Sequence, residues 1–154
     1  MNHVTDYSAN EVDGTYRMGF TVGAHSARHM RRVLRMLLGR WGLAPLADAA
    51  ELALTELVAN VVRHVPGRDC AVVILLRPRG LRVEVTDGDP SPPRLPRDVS
   101  PLSEDGRGLL LVEAVTDRWG TEATATGKTV WFECDRPRLR GTARGTRPWR
   151  PTGQ

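Results

Sequence analysis

Hydrophobic positions recur along this chain in two periods, and the switches between them mark its elements. Residues 16–22 alternate, with Tyr16, Met18, Phe20 and Val22 pointing one way, the pattern of an edge strand. Over residues 27–41 the spacing becomes helical, through Met30, Val33, Leu34, Leu37, Leu38 and Trp41, with Ser26 placed to cap the start and Gly42 to end the run. Pro45 suits the first turn of a second helix, which runs until Pro66-Gly67 breaks it. Residues 70–77 and 81–86 read as two strands of a hairpin joined by Arg77-Pro78-Arg79-Gly80. Residues 87–105 hold five prolines and no apolar period. A loop that long inside a domain signals an active-site lid or disorder. A third helix is expected from Gly108 to about Thr116, then strands over 118–125 and 129–134 around a Thr126-Gly127-Lys128 turn.

Residues 1–14 are polar without a period and read as a flexible lead-in, and 135–154 as a disordered Arg/Pro-rich tail. A single domain over 15–134 remains. Strands and helices come in blocks rather than in alternation, which predicts an α+β two-layer sandwich, an antiparallel-rich sheet covered on one face by about three helices. No internal repeat is present.

Length and composition narrow the choices. The 154 residues suit one domain with a sizeable core, so a sensor or transmitter domain is expected on another polypeptide. No run approaches the roughly eighteen apolar residues of a membrane span, and Met1-Asn2-His3-Val4-Thr5-Asp6 lacks the character of a signal peptide. A soluble, cytoplasmic protein without membrane contact is expected. Cys70 and Cys134 form neither a disulfide framework nor a CxxC pair; both fall in predicted strands, where a buried thiol acts as a small apolar residue. The net charge of +4 is unevenly spread. From Asp135 onward six arginines face one aspartate, a local +5 that leaves the rest of the chain near −1. The tail reads as a solubilising extension, and contact with nucleic acid through it is the weaker alternative.

The candidate chemistry begins in the stretch ELALTELVANVVRHV, residues 51–65, where Glu56, Asn60 and His64 stand four residues apart on one helix face. Leu52, Leu54, Leu57, Val58, Val61 and Val62 supply the apolar remainder. Glu56 offers a proton-accepting carboxylate and Asn60 a carbonyl oxygen suited to a hard cation, unless the row is simply a solvated face. Asp87 closes a strand and meets Gly88, so it either stands at a pocket mouth or forms an Asx turn. Gly106 and Gly108 flank Arg107 just before the third helix, where backbone N–H groups and the helix dipole favour a phosphate. Gly127-Lys128-Thr129 precedes the last strand.

These four signals, in this order, resemble the N, G1, G2 and G3 boxes of the GHKL superfamily of ATPases over roughly residues 16–134. The likeness is greatest to the short anti-sigma regulatory factors, serine/threonine kinases of the kind abundant in actinomycetes. The resemblance implies the histidine kinase-like ATPase fold, ATP and Mg²⁺ as ligands, Glu56 as catalytic base, and Asn60 on the metal. It also implies nucleotide contacts from Asn60, Asp87, Gly88, Gly106, Arg107, Gly108, Leu109 and Thr129, with Asp87 reading the adenine amino group. His64 either reaches the nucleotide or packs the helix end, and Lys128 reads equally well as a surface charge. The G1 pattern Asp-x-Gly-x-Gly departs here to Asp87-Gly88-Asp89-Pro90-Ser91, with both expected glycines replaced. A phosphoacceptor helix pair before the domain and a transducer domain after it are not expected. The implied activity is phosphorylation of an anti-anti-sigma (STAS-type) partner alternating with binding of a sigma factor, in a possible homodimer formed through a sheet edge; the alternative is a non-catalytic, ATP-responsive binding module in transcription regulation.

Overall fold

The computed structural model describes residues 8–92 and 107–138. Along the chain these form β1 (Ser8–Val12), β2 (Thr15–Thr21), α1 (Ser26–Arg40), α2 (Ala47–His64), β3 (Asp69–Arg77), β4 (Gly80–Asp87), α3 (Arg107–Val115), β5 (Arg118–Ala123) and β6 (Lys128–Asp135). The strands make one sheet in the order β1-β2-β3-β4-β6-β5, antiparallel at each junction. This is the expected α+β two-layer arrangement.

Alternation along the strands sends one set of side chains to the helices. Met18 and Phe20, then Val72 and Ile74, then Leu81, Val83 and Val85, then Val130, Phe132 and Cys134 are all buried on that face. Against them lie Met30, Leu34, Leu37 and Leu38 of α1, Ala50, Leu54, Leu57, Val58 and Val61 of α2, and Leu109 and Val112 of α3, in one continuous core. Helix α2 is central, packing on α1 at one flank and α3 at the other. The opposite sheet face carries polar side chains, since a two-layer fold leaves it uncovered.

Several expectations need correction. Residues 8–12, read as part of a flexible lead-in, pair with β2, so β1 and not the strand near Tyr16 forms that sheet edge. Residues 1–7 of the lead-in lie outside the described residues, as do 93–105 of the predicted lid and 139–154 of the tail. Ser26 is not a side-chain cap. Its hydroxyl instead accepts a hydrogen bond from the Gly23 N–H at 2.8 Å. Leu52 and Val62 are exposed and take no part in the core. Seven small and branched buried residues of α2, from Ala47 to Val61, do that work, because the α2 core stripe runs through Ala47, Ala50 and Ala53, where the small side chains let the helix lie close to its neighbours. Among the described residues, no helix is long and apolar enough to cross a membrane.

Candidate functional site

Register decides what meets at one end of the sheet. Asp87, the last residue of β4, stands directly opposite Lys128, the first of β6, and both face the helices. The last turns of α2 and the first turn of α3 close over the same end. Between them lies a cavity of about 230 Å³. Leu57, Val85, Leu109 and Val130 give it apolar walls, while Asn60, His64, Asp87, Asp89, Ser91 and Lys128 supply polar groups, with Pro92 at the edge. A cleft with apolar walls and convergent polar groups suits a flat organic ring that carries its own hydrogen-bonding edge.

Asp87 is fixed from two sides. Its Oδ1 accepts the Asp89 N–H at 2.9 Å, an Asx turn, and the Lys128 Nζ at 3.1 Å. Among the described residues, Oδ2 carries no hydrogen bond, so one carboxylate oxygen stays available to a donor in the cavity. Lys128 also donates to the Asp89 carbonyl at 3.2 Å and lies 3.6 Å from the Asp89 carboxylate. The Ser91 N–H, bonded to Asp89 Oδ1 at 2.9 Å, and then Lys128, hold the Asp89 carboxyl below the usual carboxylate range. Gly127 is required where it stands: a Cβ there would come within 1.9 Å of the Asp87 carbonyl oxygen and 2.8 Å of Gly88 Cα.

Glu56 lies beside this cavity rather than in its lining. Its Oε2 sits 2.7 Å from where a Cβ at Gly108 would be, so the absence of a side chain at Gly108 lets the carboxylate lie against the first turn of α3. Neither Glu56 nor Asn60 has a hydrogen-bond partner among the described residues, and both are half-buried. Asn60, one turn on, does line the cavity. The arrangement therefore pairs an uncommitted carboxylate with a helix N-terminus whose free N–H groups attract anions.

Among the described residues no group of three or more His, Cys, Asp or Glu side chains is placed to hold a metal ion. An Mg²⁺ ion would not need such a group, since it keeps several waters and takes few protein oxygens. Asn60 is the residue that would hold it. The thiols are uninvolved. Cys70, opposite Asp87 across β3 and β4, is pushed up to about 12 by burial and then by the Asp87 charge, and Cys134 is pushed up to about 12, chiefly by burial.

The structure thus gathers Asn60, Asp87, Leu109 and His64 at one cavity, with Glu56, Arg107 and Gly108 adjoining it at the start of α3. Gly88 does not line the cavity; its backbone underlies the turn at Gly127. Gly106 lies outside the described residues. Thr129 does not reach the cavity. It follows Lys128 in β6 and so points to the other sheet face, where its hydroxyl meets that of Thr86 at 2.7 Å. Lys128, read equally as a surface charge, is instead buried at 8% exposure. Asp89 and Ser91 were also missed, although the Asp87-x-Asp89-x-Ser91 spacing is the signal of two successive Asx turns.

Comparison with known proteins agrees with this geometry. The family described as histidine kinase-like ATPase domain matches residues 20–134. An uncharacterised protein of Streptomyces coelicolor is 39% identical over 83 residues, which span 52% of this chain and 79% of that protein.

Proposed function

Since the chain belongs to the histidine kinase-like ATPase domain family, we propose that its cavity binds ATP and that it works as an anti-sigma-type serine/threonine kinase on an anti-anti-sigma, STAS-like partner. The carrying observation is the free Glu56 carboxylate, held against Gly108 one helical turn from Asn60. A binding module has no need of an uncommitted base at the phosphate end of its pocket.

In this reading the adenine ring lies between Leu57, Leu109, Val85 and Val130, with its amino group donating to Asp87 Oδ2. Asn60 would hold a cation, whose charge would offset that of the phosphates. The N–H groups at the start of α3, with Arg107, take the phosphate chain. Glu56 accepts the proton of the attacking seryl or threonyl hydroxyl as the oxygen engages the terminal phosphorus, and the bond to the ADP oxygen breaks. A sigma factor is the second partner, and the exposed edge strand β1 offers a route to a homodimer.

Glu56→Gln tests the reading. Calorimetric titration with ATP and Mg²⁺ should give affinity within about twofold of wild type, while transfer from labelled ATP to a STAS-type substrate should fall at least about 100-fold. Asn60→Ala should remove binding in the same titration. Undiminished transfer by Glu56→Gln would overturn the mechanism. One observation favours a second reading, a non-catalytic ATP-responsive module: Asp89 stiffens the turn where the family pattern has glycine. ATP binding without transfer by wild type to any STAS-type partner would select it.

A further inference from the structure

The chain contains 21 arginines and one lysine, and that lysine is buried at the corner of the cavity. Every other cationic side chain is a planar fork. Lys128 is the place where a compact ammonium with three independently directed protons is used instead. Three acceptors converge on its Nζ: Asp87 Oδ1 at 3.1 Å, the Asp89 carbonyl at 3.2 Å and Asp89 Oδ2 at 3.6 Å. Two of its protons are committed to hydrogen bonds with the protein, and the Asp89 carboxylate stands beside the ammonium as a third, charged neighbour.

Its effect falls on Asp87. With Oδ1 held by both Lys128 and the Asp89 N–H, the carboxylate cannot rotate, and Oδ2 is left as a single acceptor of fixed direction. The same ammonium ties the Asp89 backbone to β6, bracing a turn that lacks the glycines of the family pattern. Resting on the ATP reading above, we infer that Lys128 is the positioning residue that makes the cavity selective for a ring bearing an amino group over one bearing a carbonyl at that edge. A fixed carboxylate oxygen accepts from the amino group and repels the carbonyl. A carboxylate free to turn discriminates poorly because it can swing its oxygens away from a carbonyl that it would otherwise repel.

The test compares ATP with ITP, its 6-oxo counterpart, by calorimetry in wild type, Lys128→Met and Lys128→Arg, with thermal melts to establish folding. Wild type is expected to prefer ATP by at least about tenfold, as sites built around a substrate N–H do. Lys128→Met, which keeps the length of the stem and drops the charge, should bring that ratio to within about threefold, whatever happens to the absolute affinities. A purely structural lysine would weaken both nucleotides equally. An unchanged ratio in folded Lys128→Met therefore overturns the inference. If Lys128→Met does not fold, Lys128→Arg is decisive: its planar fork cannot meet all three acceptors, so the ratio should drop several-fold, and an unchanged ratio overturns the inference. Wild type that binds neither nucleotide overturns the ATP reading beneath it, a result distinct from binding without discrimination.

Discussion

Strands β4 and β6 carry two directly opposed ion pairs, and they serve different ends. At one end of the ladder Arg82 faces Glu133, and at the other Asp87 faces Lys128, with the acid and base exchanged between strands. Asp87 lies five positions after Arg82, an odd step, so the pairs lie on opposite sheet faces. On the open face Arg82 bonds Glu133 at 2.9 Å and lies 4.2 Å from the centre of the Trp131 ring, while Arg118 bonds the other Glu133 oxygen at 2.9 Å. Both Glu133 oxygens are taken. Beneath the helices the Asp87 pair keeps one oxygen free and borders a cavity. The same cross-strand chemistry becomes a brace where its acceptors are saturated and, in the proposed function, a recognition element where one is spare.

The sharpest way to break this contrast is Gly127→Ala. The added methyl would meet the Asp87 backbone, and relieving that overlap must displace the start of β6. A loss of about 3 kcal/mol in denaturant unfolding, together with loss of ATP binding, is expected. Arg82→Met attacks the brace alone. It should cost about 1–2 kcal/mol, because Arg118 still holds the other Glu133 oxygen, and should leave ATP affinity within about twofold. A larger change in affinity would show that the two faces are coupled.

Acid offers a gentler probe. The Arg118 hydrogen bond holds the Asp135 carboxyl below its ordinary range, and for Glu133 the bonds from Arg118 and Arg82 outweigh an opposing effect of burial. The folded state therefore binds these protons less readily than the unfolded chain. Their stabilisation is present above the unfolded carboxylate value, about 4, and is lost as pH falls through the lower folded values. Melting curves from pH 6 down to pH 3 should show this loss in wild type and a shallower one in Arg118→Met, with nucleotide affinity at pH 7 unchanged in the variant.

Much of this architecture was legible in one dimension, because local physics controls it. The helical spacing from Met30 to Trp41, the hairpin turn at Pro78-Arg79 and the i, i+4 row on α2 all arise from contacts between near neighbours in sequence. Asn60 and Asp87, which the structure places in the cavity lining, could be singled out for the same reason. Glu56 could also be named, but its seat against Gly108 depends on how α2 packs on α3. β1 escaped notice because it lies at an edge, where pairing with β2 supplies what apolar alternation usually signals.

Lys128 and Thr129 mark the boundary most clearly. Their sequence promised a turn, a charge and a hydroxyl near a nucleotide, and either residue could have filled the role. Side chains in a strand alternate between faces, so the register of β6 on β4 sends Lys128 into the cavity and Thr129 to the far side. The chain alone determined the layers and the order of the boxes, through periods of two and 3.6 residues and the stiffness of proline. Only the tertiary structure decided which carboxylate oxygen stays free, since that depends on three acceptors, 41 and 39 residues away in sequence, converging on one ammonium in a site that burial keeps from water.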